Sequence, residues 1–151
     1  LNDDFVLQRN SAFFKKYLID DTELPIGDGT YSLCMKCISR STHEEFAVKI
    51  MKIDHDASQE IQALEKCQGH QNIVKLVETM QDKYFNYIVF ELLSGGELFS
   101  RIRESGYLLE STARNYFQQI VDAVLFTHSK GIIHKDLKPG KHPFNCLLDK
   151  I

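Results

Sequence analysis

The chain has 151 residues, of which 43% are apolar and 26% charged, with a formal net charge of −3. That is the composition of one globular domain with a core of useful size, not of a disordered or low-complexity chain. The weak negative charge argues against general binding to nucleic acid or to an anionic membrane surface, and no apolar run approaches the ~18 residues of a spanning helix.

Residues 1–16 show no clear period, although Phe13 and Phe14 are expected to be anchored against something. From Tyr17 to Met51 three strand-like stretches follow: YLID, YSLCMKCIS and EFAVKIM. Gly27 and Gly29 punctuate the first gap and Ser39 to His43 the second, the pattern of antiparallel hairpins. Ala57, Ile61 and Leu64 recur at i, i+4 and i+7, which predicts a short helix with Glu60 on the neighbouring face. NIVKLVETM and YFNYIVFEL predict two further strands joined at Asp82-Lys83, making five strands and one helix by about Leu92. After Gly95-Gly96, ELFSRIRESG predicts a short helix stopped near Gly106. From Ser111 to His128, Ala113, Phe117, Ile120 and Val124 lie at helical spacing, and Tyr116, Val121 and Leu125 widen the stripe, so a long, broadly buried helix is expected.

The expected organisation is an N-terminal flank (1–16), a small mostly-β lobe (17–93) and the start of a helical lobe (94–151). Both ends look cut, since the chain opens on Leu1 and closes on the run Cys146-Leu147-Leu148, then Asp149-Lys150-Ile151. Four cysteines are present: Cys34, Cys37, Cys67 and Cys146. Cys34 and Cys37 have the spacing of a metal knuckle, but no second pair follows, and strand positions three apart face opposite ways. Reduced structural cysteines of an intracellular protein are the expectation.

Four stretches carry chemistry when read in order. IGDGTYS offers Gly27 and Gly29, which read either as an ordinary tight turn or as a hairpin whose backbone N–H groups close over nucleotide phosphates. FAVK offers Lys49, sharing a strand face with Ala47. It is either an edge lysine keeping its amine in water or a lysine that meets the nucleotide's phosphates. A buried ammonium needs an anionic partner, and Glu60 on the following helix is the candidate. VFELLSGGEL offers Glu91 and Leu93, with Leu92, as a connector whose backbone groups would meet an adenine edge. HKDLKP offers Asp136 to accept a substrate hydroxyl proton and Lys138 to offset charge on a transferred phosphoryl group. His134 reads as a core histidine.

The order and spacing of these stretches resemble the protein-kinase signature set from about Tyr17 to Leu148. Asp-Leu-Lys-Pro is similar to the serine/threonine branch, and GELFSRI to the calmodulin-dependent group. IGDGTYSLCMKCISRST and GHQNIVKL resemble the C-terminal kinase domain of the mitogen- and stress-activated and ribosomal-protein kinases. The resemblance implies an α+β, kinase-like fold, with a five-stranded antiparallel small lobe and an incomplete helical large lobe. It implies ATP and Mg2+ as cofactors, and protein substrates phosphorylated on Ser or Thr, the parent chain among them. It further implies an upstream mitogen-activated kinase as activator, no direct nucleic-acid or membrane partner, and residence in nucleus or cytoplasm. Under it Ile26 and Cys34 cap the adenine, Phe90 is the gatekeeper, and Glu97 lies near the ribose or the substrate peptide.

Three departures from the family pattern stand out. Lys135 replaces the usual arginine before the catalytic aspartate and offers a point charge instead of a two-pronged grip. The magnesium-binding asparagine belongs five residues after Asp136, where Lys141 stands; Asn145 comes nine residues on, displaced by an apparent insertion within GKHPF. Misplacing a catalytic group by ~1 Å can cost about 100-fold, so this chain alone is expected to be inactive. No Asp-Phe-Gly motif follows. The competing reading is a catalytically inactive module that binds ATP or docks a partner.

Overall fold

The computed structural model describes residues 7, 9–20, 22–28, 32–96, 98–135 and 137. In chain order the elements are α1 (Ala12–Lys16), β1 (Tyr17–Ile19), β2 (Gly27–Asp28), β3 (Ser32–Ser39), β4 (Glu45–Lys52), α2 (Ser58–Lys66), β5 (Leu76–Gln81), β6 (Phe85–Glu91), α3 (Leu98–Ser105) and α4 (Glu110–Ser129). The strands form one antiparallel sheet in the order β1-β3-β4-β6-β5, the five-stranded arrangement expected. A sixth strand, the two-residue β2, also pairs with β3.

β1 meets β3 at Cys37 to Ser39 and β2 meets it at Leu33 and Cys34, while β4 occupies the other edge of β3 over the same stretch. β1 and β2 are therefore one edge strand interrupted by residues 20–26. Asp20 opens the interruption by accepting hydrogen bonds from the Thr22 amide (2.8 Å) and hydroxyl (2.6 Å), a local side-chain turn that competes with the ladder.

Alternation along the strands sorts the sheet into two faces. Leu33, Met35 and Cys37 of β3, Val48 and Ile50 of β4, and Phe85, Tyr87 and Val89 of β6 share one face and form the core with Phe13, Phe14, Tyr17 and Ile19. Phe13 lies flat on Tyr87, ring centroids 4.4 Å apart and planes 6° apart, and Phe14 meets Phe13 edge-on at 5.1 Å. The two phenylalanines are anchored as expected, on a helix that the sequence pattern did not announce.

Contacts divide the chain into two compact units: residues 1–61 with 76–92, and residues 62–75 with 93–151. Gln62–Lys75 thus groups with the second unit although the sequence reading put it in the first. Its buried Cys67 and Ile73 pack with Ala123 of α4, flanked by Ile120, Phe126 and Ile132.

Two expectations are corrected. Asn72–Lys75 was expected to begin a strand, but β5 starts at Leu76. The preceding loop is held by side chains instead: Gln68 Nε2 donates to the Leu64 carbonyl (3.0 Å), and the buried Asn72 donates to the Gln119 carbonyl (3.2 Å). α4 was expected to be broadly buried, yet its buried residues are Ala123 and Thr127, while Phe117 and Leu125 are 67% and 61% exposed. Only the stripe around Ala123 finds a covering surface among the described residues.

α3 ends where expected, with Gly106 at φ 74°, a backbone conformation that costs other residues about 1 kcal/mol or more. No helix among the described residues is long and apolar enough to cross a membrane.

Candidate functional site

The face of the sheet opposite the aromatic core carries the charged chemistry. Cross-strand register aligns Gly27 with Cys34, Cys34 with Lys49, Lys49 with Ile88, and Ile88 with Thr79. Directly paired residues in an antiparallel sheet point to the same side, so these five form one row across the sheet. The adjacent row on that side holds Lys36, Ala47, Phe90 and Leu76. Gly27, Cys34, Ala47, Lys49 and Phe90, named separately along the sequence, therefore share one face.

Lys49 is the centre of the row. Its Nζ donates to Glu60 Oε1 at 2.6 Å, with the two side chains 14% and 32% exposed. The strand brings the ammonium to this face because Val48 and Ile50, on either side, are wholly buried in the opposite core. Glu60 sits in the first turn of α2, where the helix dipole favours a carboxylate. Just before the helix, the Asp56 carboxylate accepts from the Ser58 amide at 2.9 Å, a local side-chain turn that leads into it. Hydrogen bonding from Ser58, first its side chain and then its backbone amide, holds the Asp56 carboxyl below its ordinary pKa. A short, charge-assisted bond between partly shielded groups fixes the lysine in one orientation.

The other expected site residues separate into two groups. Ile26 is 41% exposed, and its amide donates to the Cys34 carbonyl at 2.9 Å, extending the ladder beyond β2. Cys34 is buried. Glu91 closes β6 and Leu93 follows it, both partly buried. Gly29, Glu97, Asp136, Lys138 and Asn145 lie outside the described residues, as do Lys141 and the rest of GKHPF. Lys135, beside the expected base, has φ 65°, a left-handed conformation costing a non-glycine residue about 1 kcal/mol or more.

Among the described residues no group of three or more His, Cys, Asp or Glu side chains is placed to hold a metal ion. The expected Mg2+ ligand, Asn145, is outside them. Cys34 and Cys37 fall on opposite faces of β3, with Cys37 in the aromatic core.

Sequence reasoning missed Ile88, wholly buried and directly opposite Lys49. Its alternation with Phe90 was visible in YFNYIVFEL, but the register that sets it against Lys49 was not. A second cluster was also missed. Lys16 Nζ donates to both carboxylate oxygens of Glu78 at 2.7 Å, and the Tyr17 hydroxyl donates to Oε1 of the same group. Burial pushes the Glu78 carboxyl up, but the hydrogen bonds from Lys16 and Tyr17 prevail and hold it below its ordinary value.

Comparison with known proteins agrees with this geometry. The model of the protein kinase domain matches residues 21–150. Ribosomal protein S6 kinase alpha-4 of Mus musculus is 40% identical over 136 residues, covering 88% of this chain and 18% of the relative. Calcium/calmodulin-dependent protein kinase type II of Caenorhabditis elegans is 37% identical over 125 residues, covering 79% of this chain and 17% of the relative. The chain thus spans about a fifth of the length of these relatives. Among solved structures, the crystal structure of Rad53 1-466 in complex with AMP-PNP superposes with a TM-score of 0.74 at 33% identity, over 83% of this chain and 34% of that one. The two-faced antiparallel sheet, the lysine–glutamate pair and these matches agree, and the chain belongs to the protein kinase domain family.

Proposed function

We propose that this chain supplies the nucleotide-holding part of a serine/threonine protein kinase, which transfers the γ-phosphoryl group of ATP to Ser or Thr of protein substrates. The observation that carries the reading is the Lys49–Glu60 ion pair at 2.6 Å, in one cross-strand row with Gly27 and Cys34. A partly buried ammonium, paired with a carboxylate and facing away from the core, suits a polyphosphate. Lys49 would meet the phosphates of ATP, supplied as its Mg2+ complex, with Glu60 orienting it and Gly27 and Gly29 closing over the phosphates. Ile26, Cys34, Ala47, Glu91, Leu93 and Glu97 would contact adenine or ribose. Asp136 would accept the substrate hydroxyl proton and Lys138 would offset phosphoryl charge, with Asn145, displaced by the apparent insertion, as the metal ligand. By its resemblance to the mitogen- and stress-activated and ribosomal-protein kinases, the parent protein would be an intracellular kinase of nucleus or cytoplasm that answers to a mitogen-activated kinase and acts partly on its own chain.

Nucleotide binding and phosphoryl transfer measured on Lys49→Met and Asp136→Asn in the intact protein test this reading. Lys49→Met should weaken binding of an ATP analogue, and Asp136→Asn should keep binding while losing about 100-fold or more in turnover. Unchanged nucleotide affinity in Lys49→Met would overturn it.

One observation favours a second reading, an ATP-binding or partner-docking module without catalysis: Lys141 occupies the position five residues after Asp136. Under that reading wild-type protein binds the ATP analogue and shows no turnover above Asp136→Asn.

A further inference from the structure

The match to the protein kinase domain begins at residue 21, yet the core of the sheet does not. Four of its buried members, Phe13, Phe14, Tyr17 and Ile19, precede that point. They belong to α1, which packs on the aromatic face of the sheet, and to β1, the edge strand that follows it. Phe13 stacks on Tyr87 of β6 at 4.4 Å and on Tyr17 at 5.2 Å. The segment is then tied at both sides of the sheet. Towards the β3–β4 turn, Arg40 donates from Nε to the Phe14 carbonyl and from its amide to the Lys16 carbonyl, each at 2.9 Å. On the far edge strand β5, Glu78 receives Lys16 at 2.7 Å and also the Tyr17 hydroxyl.

This placement has a consequence for the opposite face. Val48 and Ile50 are wholly buried in the core that α1 completes, and Lys49 lies between them. Ile88, opposite Lys49, lies between Tyr87 and Val89, which are buried in the same core. A strand whose alternate side chains are locked underneath cannot roll, so the residue between them keeps one direction. We infer that residues 12–19 are a positioning strap: by filling the aromatic face and pinning both edges, they hold the β4 segment that aims Lys49 at Glu60. Phe13 is the positioning residue at its centre. The inference concerns the ion pair itself and does not depend on whether Lys49 meets a nucleotide.

The test is acylation of lysines in the intact protein by an N-hydroxysuccinimide ester, read by mass spectrometry. It is run on wild type, Phe13→Ala and Phe13→Leu, with Lys66 and Lys75 as exposed internal references. Lys49, shielded and paired, should react slowly in wild type. In Phe13→Ala its rate should rise about threefold or more relative to Lys66 and Lys75, because local opening of β4 exposes the amine. Phe13→Leu, which refills the core, should return it most of the way. An unchanged Lys49 rate in Phe13→Ala would overturn the proposal. So would a rise shared equally by Lys66 and Lys75 in both variants, which marks general loosening. Added ATP analogue separates the two readings. If it fails to protect Lys49 in wild type, the nucleotide assignment falls while the strap is still judged by the Phe13 variants.

Discussion

Lys49 and Glu60 meet at 2.6 Å although eleven residues separate them, one on a central strand and the other in the first turn of the helix that follows. Both side chains are shielded from water over most of their surface, so each depends on the other for compensation. Removing one partner leaves a partly buried charge, at a cost of about 1–3 kcal/mol. Lys49→Met and Glu60→Gln should each destabilise the protein by that amount, with a coupling of about 1 kcal/mol in a double-mutant cycle by urea unfolding. Strict additivity of the two losses would show that the pair contributes no stability of its own.

Tyr87 is wholly buried, and its hydroxyl donates to Asp82 Oδ2 at 2.6 Å. Asp82 also accepts the amides of Tyr84 and Phe85, at 2.8 and 2.9 Å, and so closes the β5–β6 turn. Tyr87→Phe keeps the stack with Phe13 but strands one carboxylate oxygen, for a loss of about 1–2 kcal/mol. Asp82→Ala removes all three bonds and should cost more than Tyr87→Phe; equal losses would remove the turn-closing role from Asp82.

Alkaline pH should unfold the protein through groups buried in their protonated form. Burial pushes the Cys37 thiol from its ordinary 9.0 up to about 12. Tyr17 and Tyr87 are raised as well, first by burial and then by their hydrogen bonds to Glu78 and Asp82. The unfolded chain releases these protons at lower pH than the folded one. Stability is therefore full below about pH 9 and falls as pH rises towards 12, at about 1.4 kcal/mol per pH unit for each ionising group. Urea midpoints measured from pH 7 to 11 check this, and Cys37→Ala should delay the onset.

At the acid end the sign reverses. The Glu78 carboxyl is held below its ordinary value of 4.5, despite burial, by Lys16 and Tyr17. Its contribution is present above about pH 4.5 and lost as pH falls through its folded value. Glu78→Gln should lower the stability at pH 7 by roughly 1 kcal/mol and flatten the acid limb of the urea-midpoint profile. An acid limb of undiminished slope in this variant would assign the loss to other carboxylates.

An apolar residue exposed on α4 and one buried against it should respond differently. Phe117 is 67% exposed, so Phe117→Ser should change stability by less than about 0.5 kcal/mol. Ile73, buried against Ala123, should lose about 2–4 kcal/mol on truncation to Ala. Thermal unfolding of the two variants side by side distinguishes them.

Much of this was legible in the amino-acid sequence because it depends on local pattern. Short apolar, β-branched and aromatic runs bounded by turn residues placed β3, β4 and β6 to within a residue or two. The FAVK stretch put Lys49 on the face of Ala47, and the helical stripe of Ala57, Ile61 and Leu64 put Glu60 beside it. α1 was not legible, because five residues are too few to show a period. The side-chain-held loop at Asn72 was equally hidden, since Ile73 and Val74 next to a strand look like more strand until a partner edge is found to be missing.

What the sequence alone determined is therefore the order of the elements, from period, and the chemical types at the candidate site with the family they resemble, from motif. Tertiary structure decided the register that sets Gly27, Cys34, Lys49 and Ile88 in one row. It also decided the 2.6 Å contact of Lys49 with Glu60 and the docking of Phe13 on Tyr87. The physical reason is separation along the chain: Phe13 and Tyr87 come together only after the strands between them have paired, and no local preference of either residue records that meeting.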